Sequence, residues 1–340
     1  MTNLLVEIVD AHDGLTRWNQ PETVSASVHP NRTVHPSEGS APMATQSLGY
    51  AVHVSDPVPI SVPEPLPNGE GRTFQPISTT LVHGERDAVL VDPPFTADQI
   101  QEVTAWVAAS GKNIIAIVAT HGHGDHWFGD NEFATRFDAP VVATAGTIAV
   151  MHGNVEARPF AWDKLWPGQI PDAPVTAVTV PDNTLTLEGH DLHLVEVGHT
   201  DTEQTSVLHV PDLGLVVAGD ALYNGAHMYI GESAGGGLDS WRDAISTVEA
   251  LAPRHIVAGH KNKDLDDDAT RVIAETRRYL DGAEAALKEC SSATEFFHTM
   301  VDRHPGLPYG KTLLWVGAKT LYALREPGAD PVAAAVGGWF

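Results

Sequence analysis

Thr120-His121-Gly122-His123-Gly124-Asp125-His126 holds three imidazoles and a carboxylate within a single short stretch. Just before it, residues 113–120 form a β-branched apolar run suited to a buried strand. In extended chain, residues i and i+2 point to the same side, so His121 and His123 can reach one metal ion together. If the chain then turns into a helix, Asp125 and His126 leave on another side, within reach of a second ion. The two glycines relieve crowding where backbone and metal approach. Imidazole and carboxylate are donors that zinc accepts, and no thiolate lies nearby. Packing explains the cluster poorly, because buried histidines and carboxylates are costly unless paired or metal-bound.

The pattern around this stretch is that of a layered α/β domain. Residues 47–54, 77–83 and 88–92 read as strands, with Gly84-Glu85-Arg86-Asp87 as the turn between the last two. Ile100, Val103, Trp106 and Val107 are spaced for an amphipathic helix over 97–110, which Gly111 stops. A helix over 129–137 and a short strand over 140–144 complete a β-α-β-α-β order. A second half repeats the style, with strands over 175–180, 184–188, 191–197, 205–210 and 215–218. A glycine-rich loop, 231–237, then precedes a helix over 240–251 and a last strand over 255–258. Beyond it the pattern is helical over 267–289, 293–303 and 313–324. Three further residues stand where more ligands belong. His199, Asp220 and His260 each follow a strand and are each preceded by glycine.

At this point the sequence resembles the metallo-β-lactamase-fold hydrolase superfamily. The matching elements are Asp92 after its strand, His121/His123/Asp125/His126, Gly198-His199-Thr200, Ala218-Gly219-Asp220 and Gly259-His260, in order across 45–262. The resemblance implies a four-layer αββα sandwich with a metal site along one edge of two facing sheets, followed by a C-terminal helical extension. It implies two zinc ions per chain, with iron or manganese as the alternatives. His121, His123 and His199 would hold the first ion; Asp125, His126 and His260 the second; Asp220 would bridge them. A water shared by two such ions has its pKa lowered toward ~7 and can attack a carbonyl carbon. Asp92 would accept an imidazole N–H and set its tautomer. The closer likeness is to glyoxalase II-like enzymes and lactonases. Asp220-Ala221-Leu222-Tyr223 resembles the Asp-x-x-Tyr of the latter, which would put Tyr223 on the substrate. One departure stands out. After Gly198-His199-Thr200 this chain continues Asp201-Thr202-Glu203-Gln204, where those families usually reach Gly-His.

The expected activity is hydrolysis of a small ester, lactone or thioester, with catalytic roles for Asp125, Asp220 and Tyr223. β-Lactam or other amide cleavage is the alternative within the class. Iron-dependent oxidation of the persulfide dioxygenase type is a second class, disfavoured by the full set of second-site ligands. Phe160, Trp162 and Trp166, in a loop over 158–171, would frame an apolar substrate pocket. The expected division is an extension over 1–42, with a short helix over 4–12, then a catalytic domain over 43–262, then helices over 263–340 packing on or near the site.

Composition agrees with a soluble enzyme. The chain has 340 residues, 42% of them hydrophobic, enough to bury a sizeable core. A net charge of −24 disfavours nucleic acid and anionic membranes as partners. A single cysteine, Cys290, excludes an internal disulfide. The start of the chain shows no signal-peptide pattern, and the longest apolar run, 114–119, is too short to span a bilayer. The expectation is therefore a cytoplasmic protein acting on a small molecule. The apolar residues near Leu313 and Leu321 serve either as core or as a self-association face.

Overall fold

Period-two alternation along the strands sorts the core into layers. A computed structural model describes residues 47–172 and 174–340. The readings made on 1–42 lie outside the described residues. The first sheet contains β1 (Gly49–Ser55), β4 (Ile77–His83), β5 (Asp87–Val91), β6 (Asn113–Val118) and β7 (Val141–Val142) in the order β1-β4-β5-β6-β7, and β2 (Val58–Pro59) and β3 (Thr73–Phe74) form a small separate pair. The second sheet contains β8 (Thr184–Leu187), β9 (His190–Gly198), β10 (Thr205–Val210), β11 (Leu215–Gly219) and β12 (His255–Ala258) in reverse order, β12 to β8.

Val89, Val91, Ala116 and Val118 from the first sheet meet Leu194, Leu208, Val210, Val217 and Val257 from the second in one buried cluster. Their strand neighbours point outward. Ala88, Leu90 and Ile117 face the layer of α1 (Ala97–Ala109) and α2 (Asp130–Phe137), through Val103, Val107 and Phe133. On the far side, Val207, Val216, Ala218 and Ile256 face α5 (Gly237–Ala250) and α6 (Ala269–Glu289), through Trp241, Ile245, Val272 and Leu280. The order is helix, sheet, sheet, helix.

The remaining helices are α3 (Ala145–Ala157), α4 (Trp162–Leu165), α7 (Ala293–Arg303), α8 (Lys311–Ala323) and α9 (Pro331–Trp339). The last is capped by Asp330, whose side chain accepts from the N–H groups of Val332 and Ala333, with Pro331 in the first turn. It lies close on α8. A Cβ at Gly338 would sit 2.5 Å from Thr320 Oγ1 and 3.0 Å from the Val316 carbonyl. Among the described residues no helix is long and apolar enough to cross a membrane.

Several expectations need correction. Residues 175–180 form no strand; only Val178 pairs, in a single parallel bridge to Val142. Residues 145–157 are a helix whose amphipathic signal is weak, and 158–171 contain the short α4 rather than loop alone. The C-terminal α9 has an almost uniformly apolar sequence, which hides its helical period.

Candidate metal centre

Strand direction brings the candidate ligands together. β5 and β6 are parallel, as are β11 and β12, and β9 shares the sense of β11 with β10 antiparallel between them. Their C-terminal ends carry Asp92, residues 121–126, His199 with Asp201, Asp220 and His260. Backbone hydrogen bonds join the sheets at this edge: Ser206 N–H donates to the Thr120 carbonyl at 2.9 Å, and Ser78 N–H to that of Gly259 at 2.8 Å. Glycine is required at two positions. Gly219 has φ +50° and a Cβ there would lie 2.1 Å from Thr120 Oγ1; one at Gly259 would lie 2.4 Å from Asp220 Oδ1.

Three imidazoles are hydrogen-bonded through the ring nitrogen facing away from the centre, and a fourth, His126, has that nitrogen beside the Asp92 carboxylate. His260 Nδ1–H donates to the Pro76 carbonyl at 2.7 Å. Thr120 Oγ1 donates to Asp92 Oδ2 at 2.7 Å, so it accepts from His121 Nδ1–H at 3.1 Å. Asp92 Oδ2 also lies 3.3 Å from His126 Nδ1, and its Oδ1 accepts from Thr120 N–H at 2.8 Å. These contacts turn three Nε2 atoms inward. His123 is reversed: its Nε2 meets Glu232 Oε1 at 3.0 Å and its Nδ1 points inward. Such outer partners fix tautomer and orientation before any ion binds.

The inward atoms crowd together. His126 Nε2 lies 3.1 Å from Asp125 Oδ2 and 3.3 Å from Asp220 Oδ1; His260 Nε2 lies 3.3 Å from Asp125 Oδ2 and 3.2 Å from Asp220 Oδ2. His123 Nδ1 and His121 Nε2 lie 2.7 and 3.5 Å from Asp201 Oδ2. His121 Nε2, Asp125 Oδ2, His126 Nε2, Asp201 Oδ2 and Asp220 Oδ1 are buried yet complete no hydrogen bond. Buried polar atoms are nearly always satisfied, so orphans that converge from three strand ends fit a divalent cation. Three overlapping groups meet the spacing of a shared ion: His121, His123 and Asp201; His121, His126 and Asp220; and Asp125, His126 and His260.

The electrostatics are those of tightly opposed charges. Burial alone would raise Asp220, but His260 and His126 hold its carboxyl well below the usual range. Burial opposes protonation of His260, yet Asp220 and Asp125 carry it to about 9. Burial raises the Tyr223 hydroxyl far above its ordinary value, reinforced by the Asp220 charge. Nearby Asp130 is pushed well up by burial and then by Asp92.

A cleft of about 330 Å³ opens above these atoms. His123, Asp125, Asp220 and His260 form its floor; Phe74, Trp162, Tyr229 and Leu313 wall it, and α9 closes one side with Val332, Val336 and Trp339. Of the aromatics expected there, Trp162 lines the cleft. Trp166 is fully buried, stacked against Trp162 at 5.6 Å, and Phe160 is 60% exposed outside the lining. Tyr223 is also outside the lining; its hydroxyl donates to Asp220 Oδ2 at 2.5 Å while its ring packs in the core. His199 joins none of the three ligand groups, and its Nε2 abuts Gly237. Asp201, Glu232, Tyr229 and the α9 residues escaped sequence reasoning. Only Asp201 carried a signal, its two-residue offset from His199.

A family model described as the metallo-beta-lactamase superfamily matches residues 72–260. A hydroxyacylglutathione hydrolase from Actinobacillus pleuropneumoniae is 27% identical over 171 residues, which cover 50% of this chain and 59% of that protein. The chain thus spans less than two thirds of the curated relatives it matches. A metallo-beta-lactamase family protein from Thermus thermophilus superposes with a TM-score of 0.56 at 18% identity, covering 83% of this chain and 96% of that one. A metallo-beta-lactamase from Pontibacter korlensis does so at 0.51 with 19% identity, covering 71% and 97%. These likenesses are of fold.

Proposed function

The chain belongs to the metallo-beta-lactamase superfamily, and on that premise we propose that it is a dinuclear metallohydrolase of small, uncharged esters or lactones. The observation that carries this reading is the set of unsatisfied nitrogen and carboxylate atoms converging on the floor of an apolar cleft. Asp125, His126 and His260 would hold one ion, His121 and His123 would contribute to the other, and Asp220 would serve both. Two zinc ions so held would polarise a carbonyl and lower the pKa of a bound water.

The protein's own groups do the rest. Tyr223 donates to Asp220 and keeps that carboxylate turned toward the histidines. Asp92 and Pro76 set the inward nitrogens of His126 and His260. Phe74, Trp162, Leu313 and Trp339 would hold an apolar acyl group and exclude water from it. The charge of the lining supports an uncharged substrate. Its acidic side chains are Asp125, Asp220 and Glu232, and among the described residues no lysine or arginine lines the cleft. A β-lactam or a glutathione thioester carries free carboxylate, which would find no lysine or arginine there.

The test is a metal analysis with a substrate panel. About two zinc ions per chain and hydrolysis of nitrophenyl esters and lactones, abolished by chelation, are expected. One iron per chain would sink the dinuclear reading. Faster turnover of a chromogenic cephalosporin or a glutathione thioester than of any neutral ester would sink the substrate reading.

A further inference from the structure

We propose that Asp201, rather than His199, is the third protein ligand of the metal position that His121 and His123 share. This inference rests on the reading that the cluster binds metal, and it departs from the pattern that the resemblance would transfer. Asp201 is fully buried, and its Oδ2 lies 2.7 Å from His123 Nδ1 and 3.5 Å from His121 Nε2. That oxygen completes no hydrogen bond, although its partner Oδ1 is anchored by Thr200 Oγ1 at 2.9 Å. One carboxylate oxygen is thus fixed and the other left facing two imidazole nitrogens, as a ligand requires.

The local backbone explains why the aspartate turns inward. β9 ends at Gly198, whose φ of +87° breaks the strand path. Beyond it Thr200 N–H donates to the Thr202 carbonyl at 2.9 Å, and Thr200 Oγ1 contacts Thr205 Oγ1 at 2.7 Å. This tight loop projects Asp201 over His121 and His123. His199 Nε2 is likewise buried without a hydrogen bond, but it lies against the start of α5, where a Cβ at Gly237 would be 2.9 Å from it, and it does not fall within ligand spacing of His121 and His123. The next residue of the loop adds a second lock. Thr202 Oγ1 donates to Glu232 Oε2 at 2.8 Å, while Glu232 Oε1 accepts from His123 Nε2, so His123 presents Nδ1 to the ion.

Replacing an imidazole with a carboxylate makes this position a two-histidine, one-carboxylate site. Such a set is harder and carries one more negative charge, so it favours manganese or iron(II) relative to zinc more than a three-histidine site does.

The experiment compares wild type, Asp201→Ala, Asp201→Asn and His199→Ala. Metal per chain is measured after dialysis against zinc and, separately, manganese, and affinity by chelator competition. Circular dichroism establishes that each variant is folded. Both Asp201 variants should lose one equivalent, or bind it at least about tenfold more weakly. His199→Ala should keep both equivalents at wild-type affinity. Loss of an equivalent in His199→Ala overturns the assignment, and so does full retention in either Asp201 variant. Should Asp201→Ala not fold, Asp201→Asn and His199→Ala decide it. Wild-type protein that binds no metal would instead refute the underlying metallohydrolase reading, and this inference with it.

Discussion

At the residue scale, the centre depends on groups that touch no substrate. Asp92 shares one carboxylate between the Thr120 N–H, the Thr120 hydroxyl and His126 Nδ1. Outer partners of ligand histidines are typically worth about 10- to 100-fold in metal affinity. Asp92→Asn should weaken metal retention by that order in chelator competition; unchanged retention would show that His126 needs no such support. Tyr223→Phe removes a hydrogen bond to a buried charge, worth about 1.5–3 kcal/mol. Because the hydroxyl contacts Asp220 rather than the cleft, turnover of esters and lactones should fall by similar factors. A loss confined to one substrate class would place the hydroxyl on substrate instead. Gly259→Ala would force a Cβ to 2.4 Å from Asp220 Oδ1 and 2.7 Å from His126 Cε1. It should abolish metal binding in a protein whose circular dichroism is intact, a combination that normal metal content would contradict.

At the scale of elements, α9 makes the cleft a cleft. It is joined to the domain by its packing on α8, by Arg72 Nη1 donating to the Trp339 carbonyl at 2.8 Å, and by Trp339 stacked on Phe74. Phe74 in turn meets His260 edge-on at 5.9 Å, which links the C-terminal helix to the floor of the site. Trp339→Ala should raise KM for long-chain nitrophenyl esters more than for the acetate ester. An equal rise for both would mean that α9 supports the floor but does not contact the acyl chain.

At the scale of the molecule, the two sheets are tied at the edge remote from the metal centre by one surface carboxylate. Glu188 accepts from the backbone N–H groups of Asp87, Arg86 and Glu85, at 2.8, 2.7 and 2.9 Å. These backbone hydrogen bonds, led by that of Asp87, lower its pKa from the usual 4.5 to about 2. A folded-state value below the unfolded one means the stabilisation is complete above about pH 4.5. It is lost as pH falls toward 2. Glu188→Gln should therefore lower the urea midpoint at pH 7, with the gap to wild type narrowing by pH 3. A gap independent of pH would remove the carboxylate's charge from the explanation.

The sequence by itself determined the layered α/β class, most strand and helix spans, and the first stretch of candidate metal ligands, because those signals are local. Side-chain period reads out burial, and His121, His123, Asp125 and His126 lie so close in the chain that local backbone alone, a bend followed by one helical turn, keeps them together. Asp220 and His260 were legible as strand ends after glycine, and the structure brings them to the same floor. Tertiary structure alone decided which of His199 and Asp201 faces His121 and His123. Both follow the same strand two residues apart, and only the loop held by Thr200, Thr202 and Thr205 separates them. It likewise decided that Tyr223 lies behind Asp220 rather than over it, and that α9 closes the cleft. Such outcomes depend on contacts between residues distant in the chain, and periodicity carries no record of those.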